Sequence, residues 1–274
     1  MIVVTGATGN VGRALVRVLA GAGERVTAVS RGEAPPGVRH VRADLARPDS
    51  LRPALDGASV LFLLTSGDFT ARGDGGAVLG DVLDHARAAG VGRVVLLSSQ
   101  GVGTGRHSPH LEEAVTRSGL EWTVLRPGGF ASNSYAWATT IREQRLAAAP
   151  FADVALPVVD PDDIAAVAAA ALREEGHGGR TYVLTGPEAV TPRQQVAAIG
   201  DALGEPVRFV ELSREEARAG MAAFMPEVVA DATLDILGTP TADERRVHAD
   251  VERVLGRPAG TFADWAARHA AAFR

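Results

Sequence analysis

Three glycines, Gly6, Gly9 and Gly12, follow the run Ile2-Val3-Val4-Thr5 at the spacing G-x-x-G-x-x-G. In a turn from a strand into a helix this spacing has a defined use. The first glycine permits the tight turn, the second lets the backbone approach a phosphate, and the third lets the helix pack closely on the sheet. The helix behind such a turn opens with orphan N–H groups and the positive end of its dipole, a ready site for a pyrophosphate. Thr8 and Asn10 add a hydroxyl and an amide within the same turn. The predicted chemistry is the binding of a dinucleotide through Gly6-Ala7-Thr8-Gly9-Asn10-Val11-Gly12.

A second group of residues bears on which dinucleotide this is. Chains that use NAD usually end their second strand in an acidic residue that holds the ribose 2′-hydroxyl. Here that strand runs into Val29-Ser30-Arg31. A hydroxyl and a guanidinium suit a 2′-phosphate, and the guanidinium also stacks well on adenine. NADPH is therefore the expected cofactor, while Glu33, just past the strand end, leaves NAD open. Asp44 follows the third expected strand and has two readings of similar weight: acceptor for the adenine amino group, or N-cap of the next turn.

These residues need a scaffold, and the chain supplies its pattern. Short β-branched runs at 2–5, 25–30, 38–42, 60–65, 93–98 and 122–126 alternate with helical stretches at 11–21, 50–55, 76–89 and 111–118. Gly21, Gly57, Gly90 and Gly119 are placed to end those helices. Alternation of this kind, with right-handed crossovers, gives an α/β fold with a doubly wound parallel Rossmann sheet. After Arg126 the pattern changes: Pro127-Gly128-Gly129 breaks the chain and a polar, aromatic segment covers 130–137. An alanine-rich helix is expected over 160–172 and a strand over 181–184. Helices follow at 191–203, 213–223, 227–237, 242–255 and 261–272, with one strand at 207–210. The expected organisation is a Rossmann domain built from 1–128 with 153–185. Residues 129–152 with 186–274 then form a smaller, mainly helical C-terminal lobe on the substrate side.

Composition narrows the function classes. The chain has 274 residues and a formal charge of −5, which gives no basic excess for nucleic acid. No apolar stretch reaches the ~18 residues that span a bilayer, and Met1 leads into the first strand without a basic leader. A cytoplasmic protein with a small-molecule partner, monomeric or homodimeric, is expected. Cysteine and lysine are both absent. Disulfides, thiolate metal sites and cysteine or lysine nucleophiles are thereby excluded. Asp160, Asp162 and Asp163 open a helix, where acidic residues favour the dipole, and no metal is expected there.

Taken together, these residues resemble the atypical short-chain dehydrogenases, specifically the NmrA-like group that includes quinone reductases and triphenylmethane reductase. The resemblance rests on the glycine turn, Arg31, Asp44-Leu45, Leu96-Leu97-Ser98-Ser99, Ser118-Gly119-Leu120 leading to Leu125-Arg126-Pro127, Asp163-Ile164-Ala165, and Thr181–Pro187. It implies that Gly6, Thr8, Gly9, Asn10 and Val11 meet the pyrophosphate, Arg31 the 2′-phosphate, and Asp44 with Leu45 the adenine. It further implies that Leu64, Thr65 and Ser66 border the adenosine and that Ser98 and Pro127 approach the nicotinamide. Phe130 and Asn133 match the group's aromatic and asparagine near the substrate.

One departure reshapes the expected chemistry. Typical short-chain dehydrogenases protonate a carbonyl with a Tyr-x-x-x-Lys pair. This chain has no lysine, its two tyrosines are Tyr135 and Tyr182, and Thr104 and Ser108 stand where the pair would be. A reductase of this kind needs an acceptor that delocalises the incoming charge, such as a quinone or an aromatic compound, so that positioning supplies most of the catalysis. Candidate proton donors are His107, His110, Ser99, Tyr135 and Asn133, of which the histidines titrate near neutrality. Ser99, Phe130, Asn133 and Tyr135 are candidates for the substrate pocket, with plain packing an equal reading for Tyr135 and Trp137. The leading expectation is an NADPH-dependent oxidoreductase; a non-catalytic redox sensor of the NmrA type is the alternative.

Overall fold

The computed structural model describes residues 1–33, 37–70, 73–223 and 225–274. The chain divides into two compact units. The first comprises Met1–Pro127, Pro161–Val183 and Arg253–Gly256; the second comprises Gly128–Asp160, Leu184–Glu252 and Arg257–Arg274.

The first unit is built on strands β1 (Ile2–Thr5), β2 (Val26–Ser30), β3 (Arg39–Arg42), β4 (Val60–Leu64), β5 (Arg93–Leu97) and β6 (Glu121–Pro127). The second unit contributes the pair β7 (Leu146–Pro150) and β9 (Arg208–Leu212), and β8 (Arg180–Leu184) closes the main sheet. That sheet has seven strands in the order β3-β2-β1-β4-β5-β6-β8. The pairs β1–β2, β2–β3, β1–β4, β4–β5 and β5–β6 all run parallel. The order reverses between β1 and β4, and such a switch point is where doubly wound sheets bind their ligands, beyond the carboxyl ends of the strands.

Parallel strands are buried on both faces, which is why their sequences read as apolar runs rather than alternations. On one face Val3, Leu61, Leu63, Val94 and Leu96 pack with Leu79, Val82 and Leu83 of helix Gly75–Ala88, and with Leu111 and Val115 of helix His110–Thr116. The alternate residues Ile2, Val4, Phe62 and Val95 are also buried and point the other way. Helix α1 (Asn10–Gly21) and the alanine-rich helix Pro161–Arg173 pack against each other. In the second unit Ile141, Ala147, Val196, Ile199, Phe262, Trp265 and Phe273 form a separate core.

Most expected elements fall where the pattern puts them; the short helices Gln100–Gly103 and Ala138–Gln144 were not expected, and two further features depart from the pattern. The helix expected over 242–255 is two short ones, Ala242–Arg245 and Asp250–Leu255, because Arg246 turns to an extended conformation (φ −72°, ψ 131°). Gly21 is the last residue of α1, as expected, and Gly23 just beyond it is left-handed (φ 79°), as are Gly57, Gly90 and Gly119. Strand β7 was not expected. It pairs in parallel with β9, Ala147 facing Phe209 and Ala149 facing Glu211.

Candidate functional site

The turn after β1 is glycine-rich for different reasons at different positions. Gly6 has φ 62°, and a Cβ there would stand 2.7 Å from Leu64 Cδ2. A Cβ on Gly12 would stand 2.1 Å from the Gly6 carbonyl oxygen, so α1 can approach the turn only with glycine there. Gly9 is unlike both. It has φ −77°, open to any residue, and a Cβ would meet only the Gly6 carbonyl oxygen, at 3.4 Å, an ordinary contact. Glycine at this position keeps clear a space that the protein's own atoms leave empty. Gly9 is also the N-cap of α1, has no side chain to cap it, and no acidic residue stands in the first turn. The positive end of this twelve-residue helix therefore opens on the turn without an acidic side chain against it, the arrangement that suits an anion.

That space is part of a cavity of about 540 Å³ across the carboxyl ends of four strands. The first strand and its turn give Thr5, Gly6, Thr8 and Gly9; the end of β2 gives Val29, Ser30, Arg31 and Gly32. The segment after β3 gives Ala43, Asp44, Leu45 and Ala46, and that after β4 gives Leu64, Ser66 and Phe69. The backbone N–H of Leu64 donates to Thr5 Oγ1 at 2.8 Å, and this hydroxyl lies 3.2 Å from the carbonyls of Phe62 and Leu64. The β1–β4 switch point is thus pinned by one buried threonine.

Of the residues expected to meet the dinucleotide, Gly6, Thr8, Gly9, Arg31, Asp44, Leu45, Leu64 and Ser66 line this cavity together. Asn10, Val11, Gly12, Thr65, Ser98 and Pro127 lie outside its wall. Arg31 is exposed and, among the described residues, has neither a hydrogen bond nor an ion pair. Ser30 is not offered outward in the way its sequence position suggests: its hydroxyl donates to the Gly32 carbonyl at 2.8 Å and lies 3.0 Å from His40 Nε2. It shapes the turn that carries Arg31. Asp44 caps its own turn, accepting the Ala46 N–H at 3.0 Å, while still lining the cavity. Phe69, Val29 and Ala46 carried no sequence signal, being apolar residues brought to the wall only by the fold.

Next to β4 in the sheet, the ends of β5 and β6 carry a polar cluster. Arg126 grips Glu112 with two bonds, Nε to Oε1 at 2.9 Å and Nη2 to Oε2 at 2.6 Å. That grip raises the guanidinium above its ordinary value, keeping it charged. Ser98 Oγ donates to Glu112 Oε1 at 2.5 Å, so its proton is committed. Ser99 accepts the Gly101 N–H at 3.1 Å, and His107 Nδ1 lies 3.1 Å from the same oxygen. His110 turns away: its Nδ1 lies 2.8 Å from Ser108 Oγ, and its buried Nε2 has no hydrogen-bond partner among the described residues.

In the second unit, Phe130 bridges to Val159 and Asn133 is exposed. The Tyr135 hydroxyl lies 2.9 Å from His269 Nδ1, and its ring packs 5.2 Å from Trp265 and 5.9 Å from Phe273. Trp137 donates its indole N–H to the Ala148 carbonyl at 3.0 Å. Both aromatics serve this unit's core, the packing alternative. Asp160 is bonded to Arg268, and Asp162 pairs with Arg17 at 2.9 Å. Among the described residues no three histidine or carboxylate side chains are grouped to hold a metal ion, and no helix is long and apolar enough to cross a membrane.

Comparison with known proteins follows the same lines. Residues 6–175 match the model of a family described as NAD(P)H-binding. The chain is similar to the (4-alkanoyl-5-oxo-2,5-dihydrofuran-3-yl)methyl phosphate reductase of Streptomyces griseus, with 40% identity over 100% of this chain and 99% of that one. It is similar to the NAD(P)H azoreductase of Xenophilus azovorans, with 35% identity over 100% and 99%. Among solved structures it resembles the NADPH-dependent quinone oxidoreductase of Escherichia coli complexed with NADPH, with a TM-score of 0.79, 26% identity and coverage of 98% and 99%.

Proposed function

This chain belongs to the NAD(P)H-binding family, and from that premise we propose that it is an NADPH-dependent reductase of small conjugated acceptors, of the NmrA-like type of atypical short-chain dehydrogenase. The observation that carries the reading is the joint placement of Gly9 and Arg31 in one cavity. The uncapped end of α1 meets a pyrophosphate through Gly6, Thr8 and Gly9, and Arg31 meets a 2′-phosphate. A free guanidinium beside an adenosine subsite matches a bidentate phosphate better than a neutral ribose. Asp44, Leu45, Leu64 and Ser66 enclose the adenosine.

The bound cofactor supplies a hydride. The chain's own residues position the acceptor and manage the proton that follows. Relatives named for a 5-oxo-2,5-dihydrofuran, an azo group and a quinone share one property: each acceptor is a conjugated system that spreads incoming charge. Such acceptors suit a site without a Tyr-x-x-x-Lys pair, because most of the barrier is removed by orientation. Oxidation of NADPH, followed at 340 nm with a panel of quinones, azo compounds and unsaturated lactones, tests the reading. Turnover well above background with one acceptor class supports it; no turnover with any class overturns it.

A further inference from the structure

We propose that Ser99 and His107 form the proton-delivery pair of this reductase, with Ser99 protonating the reduced acceptor and His107 refilling it. The inference rests on the reductase reading and deepens it by naming the group that replaces the missing tyrosine.

Three independent features put one imidazole against one hydroxyl. First, Ser99 lies two residues beyond Leu97, the end of β5, next in the sheet to the strand ends that line the cavity. Its oxygen accepts the Gly101 N–H at 3.1 Å, which fixes its direction and steadies negative charge on it. Second, the Gly101 carbonyl accepts two backbone N–H groups, from Arg106 at 2.8 Å and His107 at 2.9 Å, which turns the loop back on itself. Third, the imidazole occupies the volume that a side chain at position 101 would fill. A Cβ on Gly101 would stand 2.5 Å from His107 Nδ1, 2.8 Å from Cε1 and 2.9 Å from Cγ. An ordinary loop histidine requires none of these. His107 remains exposed, so its ring exchanges protons with water.

The step balances. Hydride addition to a quinone brings two electrons and one hydrogen and leaves one oxygen anionic. That oxygen takes the Ser99 hydroxyl proton as the quinol O–H bond forms. The proton on His107 Nδ1 replaces it at Ser99 Oγ, and the imidazole regains a proton from solvent. A cationic triarylmethane dye makes the contrast, since hydride at its central carbon gives a neutral product with no proton required.

Wild type, His107→Gln and Gly101→Ala are assayed with NADPH and both acceptors, benzoquinone and the cationic dye. The ratio of quinone to dye turnover falls about 100-fold in His107→Gln, the scale of general acid catalysis, and falls also in Gly101→Ala, which evicts the ring. The loss of wild-type quinone turnover toward alkaline pH disappears in His107→Gln, because a general acid must be protonated. A readout independent of turnover uses cofactor-free protein. The histidine Cε1–H resonance missing from His107→Gln identifies His107, and Ser99→Ala moves its titration midpoint. An unchanged ratio in both variants, or an unmoved midpoint in Ser99→Ala, overturns the proposal while leaving the reductase reading intact. Absence of wild-type turnover with either acceptor overturns both.

Discussion

The α-carbon of Gly12 stands so close to the Gly6 carbonyl that a methyl group on it would lie 2.1 Å from that oxygen, whereas the same substitution at Gly9 meets the same oxygen at 3.4 Å. Of these two glycines in one turn, Gly12 is required by the fold and Gly9 is not. Gly12→Ala must push α1 away from the sheet and costs about 3 kcal/mol or more of stability. Gly9→Ala leaves the melting temperature within a few degrees of wild type and lowers NADPH affinity at least tenfold, by placing a methyl where the pyrophosphate approaches. Thermal denaturation and titration of the two variants check this. A Gly9→Ala protein as unstable as Gly12→Ala contradicts it.

Glu112 and Arg126 are bonded twice and are mostly buried, with side-chain exposures of 10% and 25%. Removing one partner leaves an uncompensated charge. Glu112→Ala is predicted to cost about 3–5 kcal/mol in urea unfolding. The double variant Glu112→Met/Arg126→Met is predicted to cost less than Glu112→Ala alone, since apolar groups of similar volume replace both charges. Additive losses in that cycle exclude the pair as a coupled unit.

Thr261 caps the helix that carries Trp265, and Asp264 in the first turn returns the bond, accepting from the Thr261 hydroxyl at 2.6 Å and the Thr261 N–H at 3.3 Å. The Thr261 side chain, and then its backbone, hold the Asp264 carboxyl below its ordinary value. A carboxyl with a lowered folded-state value contributes stability above the ordinary aspartate range and loses it as pH falls through the lowered value. Asp264→Asn is thus less stable than wild type at pH 7, and the difference closes as pH falls through the lowered value of Asp264. A difference that stays constant as the carboxylate is protonated excludes a role for the ionised Asp264.

Much of the lining of the cavity at the β1–β4 switch point was legible because its signals are local. A glycine at a fixed spacing, a basic residue at a strand end and an apolar run each carry their meaning within a few residues. The ends of β1, β2 and β4 were placed to within a residue or two, since strands buried on both faces announce themselves by β-branched and leucine runs, and the edge strand β3 followed from its place in the alternation. Strand β7 was hidden because Leu-Ala-Ala-Ala-Pro lacks β-branched residues and gains its partner, β9, about sixty residues later. The break after Arg245 carries neither glycine nor proline, so nothing local marked it. His107 was visible as a histidine, but its seat over Gly101 depends on a vacant side-chain volume that only the folded loop reveals. Tyr135 looked equally suited to substrate and to packing, and the choice fell to Trp265, His269 and Phe273, over a hundred residues away in sequence.

The central claim is that Arg31 turns a dinucleotide site into an NADPH site, and calorimetric titration of NADPH and NADH into wild type and Arg31→Ala tests it most directly. A hydrogen-bonded charge pair of this kind contributes about 1.5–3 kcal/mol, so wild type is predicted to bind NADPH about 10- to 150-fold more tightly than NADH. Arg31→Ala is predicted to lose that preference while keeping its NADH affinity. Equal affinities for the two cofactors in wild type, or a preference that survives in Arg31→Ala, contradict the account.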